Sequence, residues 1–273
     1  MTASRRPLVV PDPAIGTHCY PIVPESIPPF AVDTGGYSIR YAHSAEDLDR
    51  VLQLRYRIFN LELGEGLDES HRTGRDEDDL DARMHHLMIR ARSTGEIVGT
   101  YRMQTADMAA RFGGFYSADE FDLDGLPAPV IASSVEIGRA CVAREHRTGR
   151  VLSLLWRGLA EYLMWNQKHV LFGCCSLTSQ DPNDAAVVHE HLRTTHALHP
   201  SWSVAPRAPY RCEPTAPSGS GAARIPALFQ SYLSLGATVL GPPAIDRRFK
   251  TIDWLVILDT RAIDPMTYRR FFR

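Results

Sequence analysis

The sequence predicts an α/β fold in which antiparallel strands and one strand–helix–strand crossover share a mixed sheet. Three observations carry this. Two alternating apolar runs are separated by a short polar turn, as in a hairpin. A long apolar helix pattern lies between two further β-rich runs. Of 273 residues, 44% are hydrophobic and 23% charged, which suits one large domain with extensions or two small ones.

The elements follow in order. Residues 1–36 carry prolines at 7, 11, 13, 21, 24, 28 and 29 and no long apolar run, which reads as an extended leader rather than a secretory signal. The core begins with Tyr37-Ser38-Ile39-Arg40-Tyr41, which alternates as a strand does. Ser44 and Asp47 have the spacing of a capping box that opens a helix to about Leu61. Strands over 85–90 and 96–104 are joined by Ser93-Thr94-Gly95. A short helix (107–111) and a Gly/Asp-rich loop lead to a strand at 133–142. The stretch 148–166 is a long apolar helix, 170–177 a strand and 182–192 a helix that closes the core. Through 193–225 the prolines and Ser218-Gly219-Ser220-Gly221 forbid regular structure, an insertion of the size used for lids and binding loops. A helix near 226–235 and strands at 237–240 and 253–258 place 226–273 in the same domain.

A net charge of −2 gives no global nucleic-acid signal. No apolar run approaches the roughly 18 residues of a membrane span. Five cysteines, with Cys174 and Cys175 adjacent, do not form a disulfide framework, so a reducing cytoplasm is the expected compartment. The charges are uneven. Acids crowd Glu62 to Asp81, whereas Leu192–Pro226 and the tail Tyr268-Arg269-Arg270-Phe271-Phe272-Arg273 are basic, a surface suited to an acidic partner or an anionic membrane.

Charges inside apolar runs must pair or do chemistry. Arg55 interrupts the helical stripe Leu48, Leu52, Arg55, Phe59, and Asp76, Asp78 and Asp81 follow. They read either as a structural ion-pair network or as a polar wall that clamps a zwitterionic substrate. Arg102 ends Val98-Gly99-Thr100-Tyr101-Arg102, and Glu136 and Arg139 lie in Ser134-Val135-Glu136-Ile137-Gly138-Arg139. Three residues apart, Glu136 and Arg139 face opposite sides of a regular strand. A bulge at the intervening Gly138 would bring both to one surface and free backbone N–H groups for a developing oxyanion, and it is preferred to an unbroken strand. Arg144 to Val151, at the start of the long helix, suits a phosphate. His189 and His191 diverge on a helix, so no metal site is expected. Cys174 and Cys175 have no adjacent histidine base that would make either a nucleophile.

In combination, Arg55-x-x-x-Phe59, Asp76-x-Asp78-x-x-Asp81, Gly99-Thr100-Tyr101-Arg102 and Glu136-x-Gly138-Arg139 resemble the motif order of the acyl-homoserine-lactone autoinducer synthases, acyltransferases of the GNAT fold with splayed central strands. The resemblance to their relatives, the ornithine–acyl-carrier-protein N-acyltransferases, is closer. It spans about Tyr37 to Phe272 and includes Leu171 to Leu177 and the run Tyr232 to Asp246. Gly138 stands where autoinducer synthases have Ser, Leu80 where they prefer an aromatic, and no Trp follows Phe59. These departures favour the lipid branch. His146 and Val151 depart from the usual phosphate-binding turn, which a single phosphodiester tolerates.

The resemblance implies transfer of a 3-hydroxyacyl group from an acyl carrier protein thioester to L-ornithine, with the thioester as co-substrate and no resident cofactor. It implies Glu136 as base, directly or through one water, with Arg102 and Arg139 orienting it or binding the acceptor carboxylate. Arg55, Phe59, Asp78 and Asp81 would form the acceptor pocket. Arg147, Gly149 and Arg150 would take the phosphopantetheine arm, and the fatty chain would run near Val142 and Phe172. A lipid product implies peripheral contact with the inner face of a membrane through the tail and insertion. The competing readings are another amino acid acceptor, a homoserine-lactone synthase, or a non-catalytic module that binds acyl carrier protein or lipid.

Overall fold

The computed structural model describes residues 20–212 and 224–272. In chain order the strands are β1 (Val32–Thr34), β2 (Tyr37–Tyr41), β3 (His85–Ala91), β4 (Ile97–Thr105), β5 (Ser134–Val142), β6 (Val170–Leu177), β7 (Thr238–Val239), β8 (Ala244–Asp246) and β9 (Thr251–Asp259). The helices are α1 (Ala45–Tyr56), α2 (Ser70–Thr73), α3 (Ala106–Arg111), α4 (Ser117–Glu120), α5 (Ala128–Ala132), α6 (Gly149–Trp165), α7 (Pro182–Thr194), α8 (Ala227–Ser234) and α9 (Pro265–Phe271). One sheet takes the order β1-β2-β3-β4-β5-β6-β9-β7, and β8 also pairs with β9. Among the described strands β5 and β6 form the one parallel pair, joined by the crossover helix α6.

Alternation decides what lies on each face of the sheet. Leu87, Ile89, Tyr101 and Met103 pack with Val151, Leu155 and Leu159 of α6. Met88 and Cys141 pack with Leu48, Val51 and Leu52 of α1. Ser44 caps α1, accepting from the Asp47 amide at 3.1 Å while Asp47 accepts from the His43 amide at 3.0 Å. Beyond α1, Arg57–Glu62 continues as π-helix, a local widening that often marks a functional segment.

The sheet opens at its centre. Pairing between β5 and β6 covers Ser134↔Val170, Val135↔Leu171 and Glu136↔Phe172. Thereafter β6 stays with β9 as far as Leu177, and β5 follows β4. At the point of divergence a Cβ on Gly173 would collide with the Ile137 carbonyl oxygen, so only glycine lets the two backbones approach this closely. A second irregularity lies on the other edge of β5. Gly138 opposes Arg102 and Cys141 opposes Thr100, so β5 carries one extra residue. The bulge falls on Arg139 and Ala140 rather than on Gly138. Arg139 has φ of 47°, a left-handed backbone that costs a non-glycine residue about 1–2 kcal/mol.

Several expectations need correction. The supposed leader contributes β1, so only its first part can be an extension, and residues 1–19 lie outside the described residues. The tail is an aromatic surface only in part: Phe271 is buried with its ring 6.0 Å from Trp156, whereas Tyr268 is exposed and stacks on Phe272, and Arg273 lies outside the described residues, as do 213–223 of the insertion. Among the described residues no helix is long and apolar enough to cross a membrane.

Candidate active site

A cavity of about 630 Å³ occupies the splay between β5 and β6. One end is apolar, lined by Leu152, Leu155 and Trp156 of α6, Phe229 and Tyr232 of α8, and Val256 of β9. The hydroxyls of Tyr101 and Tyr232 bond to each other there. The other end presents Glu65, Arg102, Tyr116, Glu136, Arg139 and Asp253. Val142, Phe172 and the residues Arg147, Thr148 and Gly149 also line the cavity.

Glu136 sits where the strands part, and neither arginine orients it. Its two oxygens accept from Gln104 Nε2 at 2.6 Å, the Tyr116 amide at 2.9 Å, the Ser117 amide at 2.8 Å and Ser117 Oγ at 2.6 Å. Four donors fill a carboxylate's acceptor sites. The two backbone donors are fixed, but a hydroxyl can reverse its bond: a protonated Glu136 would donate to Ser117 Oγ over the same contact.

The arginines belong to a separate network. Arg55 Nε donates to Asp76 Oδ1 at 2.8 Å, and its Nη2 donates to Asp81 Oδ2 at 3.2 Å. Arg102 Nη1 donates to both oxygens of Asp78 at 2.7 Å and to Asp81 Oδ1 at 3.0 Å. Arg139, turned by the bulge onto the α1 face, pairs with Asp76 and lies 3.9 Å from the Phe59 ring centroid and 4.7 Å from that of Phe249. Burial disfavours the Arg55 charge, yet Asp81 and Asp76 hold the guanidinium above its ordinary value. Asp78 likewise stays well below the usual carboxylate range, because Arg102 and Arg55 outweigh its burial.

This relocates part of the expected pocket. Arg55, Asp78 and Asp81 stand behind the cavity wall rather than on it, and their charges are already matched. Arg102, Arg139 and Phe59 do face the cavity. Arg102 Nε is buried and has no hydrogen-bond partner among the described residues.

A second charged group has no counterpart among the sequence expectations. Glu120 of α4, Asp246 of β8 and Asp253 of β9 bring one carboxylate oxygen each to within 4.8 Å of one another, all buried. Tyr116 ties them to the rest of the site. Its amide bonds Glu136, its ring lies 5.8 Å from the Arg102 guanidinium carbon, and its hydroxyl donates to Asp246 Oδ2 at 3.3 Å. Asp246 Oδ1 is held by the Arg248 and Phe249 amides at 2.7 and 2.9 Å. Burial raises Asp253 to about 6, and burial with Asp253 beside it raises Glu120 well above its ordinary value. Asp246 and Asp253 meet through the β8–β9 pairing and Glu120 reaches them from α4, contacts between distant parts of the chain, which explains the omission.

At the mouth, the α6 N-terminus offers amides with no side-chain cap. Arg147 lines the cavity and pairs with both oxygens of Glu62, whereas Arg150 lies off the lining, 5.9 Å from the Tyr37 ring centroid. Cys174 lines the cavity, but burial, with Glu120 and Asp253 nearby, raises its thiol well above the usual value, and burial raises Cys175 too. Neither favours thiolate. Among the described residues, His189 and His191 join no group of metal-capable side chains.

A parted central pair, a bulged neighbouring strand and a crossover helix aimed at the cleft define an acyltransferase of the GNAT class, and the family model described as an acetyltransferase (GNAT) domain matches residues 54–157. The chain is 34% identical over 232 residues to the L-ornithine N(alpha)-acyltransferase of Rhizobium meliloti (strain 1021), covering 80% of this chain and 78% of that one. It is 30% identical over 249 residues to the L-ornithine N(alpha)-acyltransferase of Rhodobacter capsulatus, covering 86% and 94%. The chain belongs to this family of acyltransferases. Among solved structures, the CoA-dependent acyl-homoserine lactone synthase BjaI, with SAM and isopentyl-CoA, is 17% identical with a TM-score of 0.47, covering 82% of this chain and 80% of that one.

Proposed function

We propose that this protein transfers a fatty acyl group, 3-hydroxylated, from an acyl carrier protein thioester to the α-amino group of L-ornithine, the step that opens ornithine lipid synthesis. The observation that carries the reading is that one cavity joins a charged acceptor end to an apolar end at the strand splay. A thioester is already activated, so direct attack by an amine needs alignment, a proton acceptor and a place for negative charge on the carbonyl oxygen. The names of the relatives supply the acceptor.

Each part of the cavity takes a role. The acyl chain lies between α6, α8 and β9, past Val142 and Phe172. Beyond Glu136, the edge of β5 that faced β6 has lost its strand partner, and its N–H groups there are donors for the developing oxyanion. Glu136 takes one proton from the acceptor's α-ammonium, directly or through one water, as its bond with Ser117 Oγ reverses; the freed amine attacks the thioester carbon, the C–S bond breaks, and the proton shed by the new amide nitrogen leaves with the carrier thiol. The acceptor's carboxylate meets Arg102, through the unused Nε, and Arg139. The free amides of α6 with Arg147 receive the phosphodiester of the carrier arm, and Arg150 stands beside it for the acidic carrier protein. Arg55, Asp76, Asp78 and Asp81 hold the two cavity arginines in place.

The test uses the purified chain, a 3-hydroxyacyl–acyl carrier protein and a panel of amino acids, read by thiol release and mass spectrometry. The expected product is the Nα-(3-hydroxyacyl) derivative of ornithine. Absence of thiol release with every acceptor would leave a binding module instead.

A further inference from the structure

A buried carboxylate needs a cation or enough donors to balance it. The three aspartates behind Arg102 satisfy this rule, each paired with a guanidinium. Glu120 and Asp253 do not, and Asp246, held by the Arg248 and Phe249 amides and the Tyr116 hydroxyl, adds its charge beside them without a cation. No ion pair to any of them exists among the described residues, and the strongest charges acting on Glu120 and Asp253 are other acids. Among the described residues Glu120 Oε1 and Asp253 Oδ1 are buried with no hydrogen-bond partner, while the other Asp253 oxygen accepts from Thr251 Oγ1 at 3.0 Å. Such orphaned acceptors, in side chains only 1% and 3% exposed, mark a site built for a donor that no described residue provides. Asp253 and Tyr116 open onto the cavity, so that donor can arrive from it.

We infer that Glu120, Asp246 and Asp253, with the Tyr116 hydroxyl on Asp246, form a receptor for the side-chain ammonium of a diamino acid acceptor. The inference rests on the amino acid acyltransferase reading and names the residues that select the acceptor. A primary ammonium has three N–H donors and one positive charge, which matches three converging acceptor oxygens. Tyr116 also sets the distance. Its backbone touches Glu136, where the α-amine reacts, and its hydroxyl touches Asp246. A tyrosine side chain and the extended span between the two nitrogens of ornithine are both about 6 Å at standard bond lengths. One residue therefore bridges the reacting end and the selecting end. Arg102 over the Tyr116 ring supplies the third contact of the amino acid, its carboxylate.

The test compares ornithine with norvaline, the same carbon skeleton without the terminal amine, so that the decisive change is in the substrate. With the parent chain and a 3-hydroxyacyl–acyl carrier protein, kcat/KM for ornithine should exceed that for norvaline by about 100-fold or more, since a site whose buried acceptors go unpaired rejects the lesser analogue strongly. In Asp253→Asn and in Glu120→Gln the ratio should fall to within about tenfold, through loss on ornithine. Calorimetric titration of the parent with each amino acid, without thioester, should show the same preference. Equal use and equal binding of ornithine and norvaline by the parent would overturn the receptor while leaving acyl transfer in place. Ornithine binding that depends on Asp253 with no thiol release would do the reverse. Titration with Mg²⁺, Mn²⁺ and Ca²⁺ gives the remaining arm: tight divalent binding abolished by Asp253→Asn would assign the carboxylates to a metal and overturn the proposal.

Discussion

Two groups of buried acids lie on either side of Tyr116, and they are built by opposite rules. Asp76, Asp78 and Asp81 face Arg55, Arg102 and Arg139, charge for charge, so every acid on that side has a cation. Glu120, Asp246 and Asp253 face one another and a tyrosine, so the other side is in deficit. The acid-rich segment between Glu62 and Asp81 is the conspicuous one in sequence, yet its three buried aspartates are already paired with arginines. The inconspicuous group is the one that reaches the cavity, through Asp253, with Glu120 and Asp246 behind it. Matched charge inside a protein marks scaffolding, and unmatched charge marks a place for a ligand.

The contrast is broken most severely from the matched side. Arg55→Met removes the cation that Asp76 and Asp81 share and leaves Arg102 and Arg139 to balance three buried acids, and removal of one partner from a buried ion-paired group costs about 3–5 kcal/mol. The variant should unfold at much lower urea than the parent or fail to accumulate as folded protein. A denaturation midpoint within error of the parent's would show the network to be dispensable. Glu136→Gln acts on the chemistry instead. Its amide nitrogen would face a donor where the carboxylate accepted one, so some stability is lost, but kcat should fall by about 100-fold or more with the circular dichroism spectrum retained. Full turnover in that variant would remove Glu136 as the proton acceptor.

How much of this was legible in sequence follows from the range of the forces involved. Local patterns fixed the capping box at Ser44, the hairpin at 93–95, α6 and the long strands, because each is decided within a few residues. Strands β1 and β8, three residues each, and the short helix α4 carry no usable periodicity, since they form only when the sheet edge or Glu136 receives them. The extra residue in β5 was signalled by parity, although it settled on Arg139 and Ala140 rather than on the glycine. Arg55 was visible as a buried cation between two readings, and the distances chose the structural one. The open carboxylates could not be found, because Glu120 and Asp253 are 133 positions apart in sequence and neither sits in a motif.

A milder test concerns the donor side. Arg147→Ala removes a half-exposed guanidinium from the mouth of the cavity, where Glu62 already engages it. The expected result is a KM for the carrier-protein thioester raised about tenfold, the size of one charge-assisted hydrogen bond, with little change in kcat. An unchanged KM would move the phosphodiester away from this helix start.

The smallest expected effect tests the unmatched side without any substrate. Burial, with Asp246 adding to it, raises Asp253 to about 6, against about 3.9 for an ordinary aspartate. The folded state therefore holds a proton that the unfolded chain has released across that interval. The stability this contributes is fully present below about pH 4 and is lost as pH rises through 6. Glu120, raised by burial and by Asp253, acts in the same direction. Asp253→Asn carries no charge to be forced into the interior. At pH 7.5 it should melt a few degrees above the parent, and the gap should close towards pH 4.5. Parent and variant curves must be compared with each other, because Asp76 and Asp78, held low by their arginines, lose stability in the opposite direction as pH falls. Adding ornithine at pH 7.5 should raise the parent towards the variant, since the ligand's ammonium relieves the same repulsion. A variant that melts below the parent at pH 7.5 would mean that the three acids are already balanced, and the distinction between the two clusters would fall.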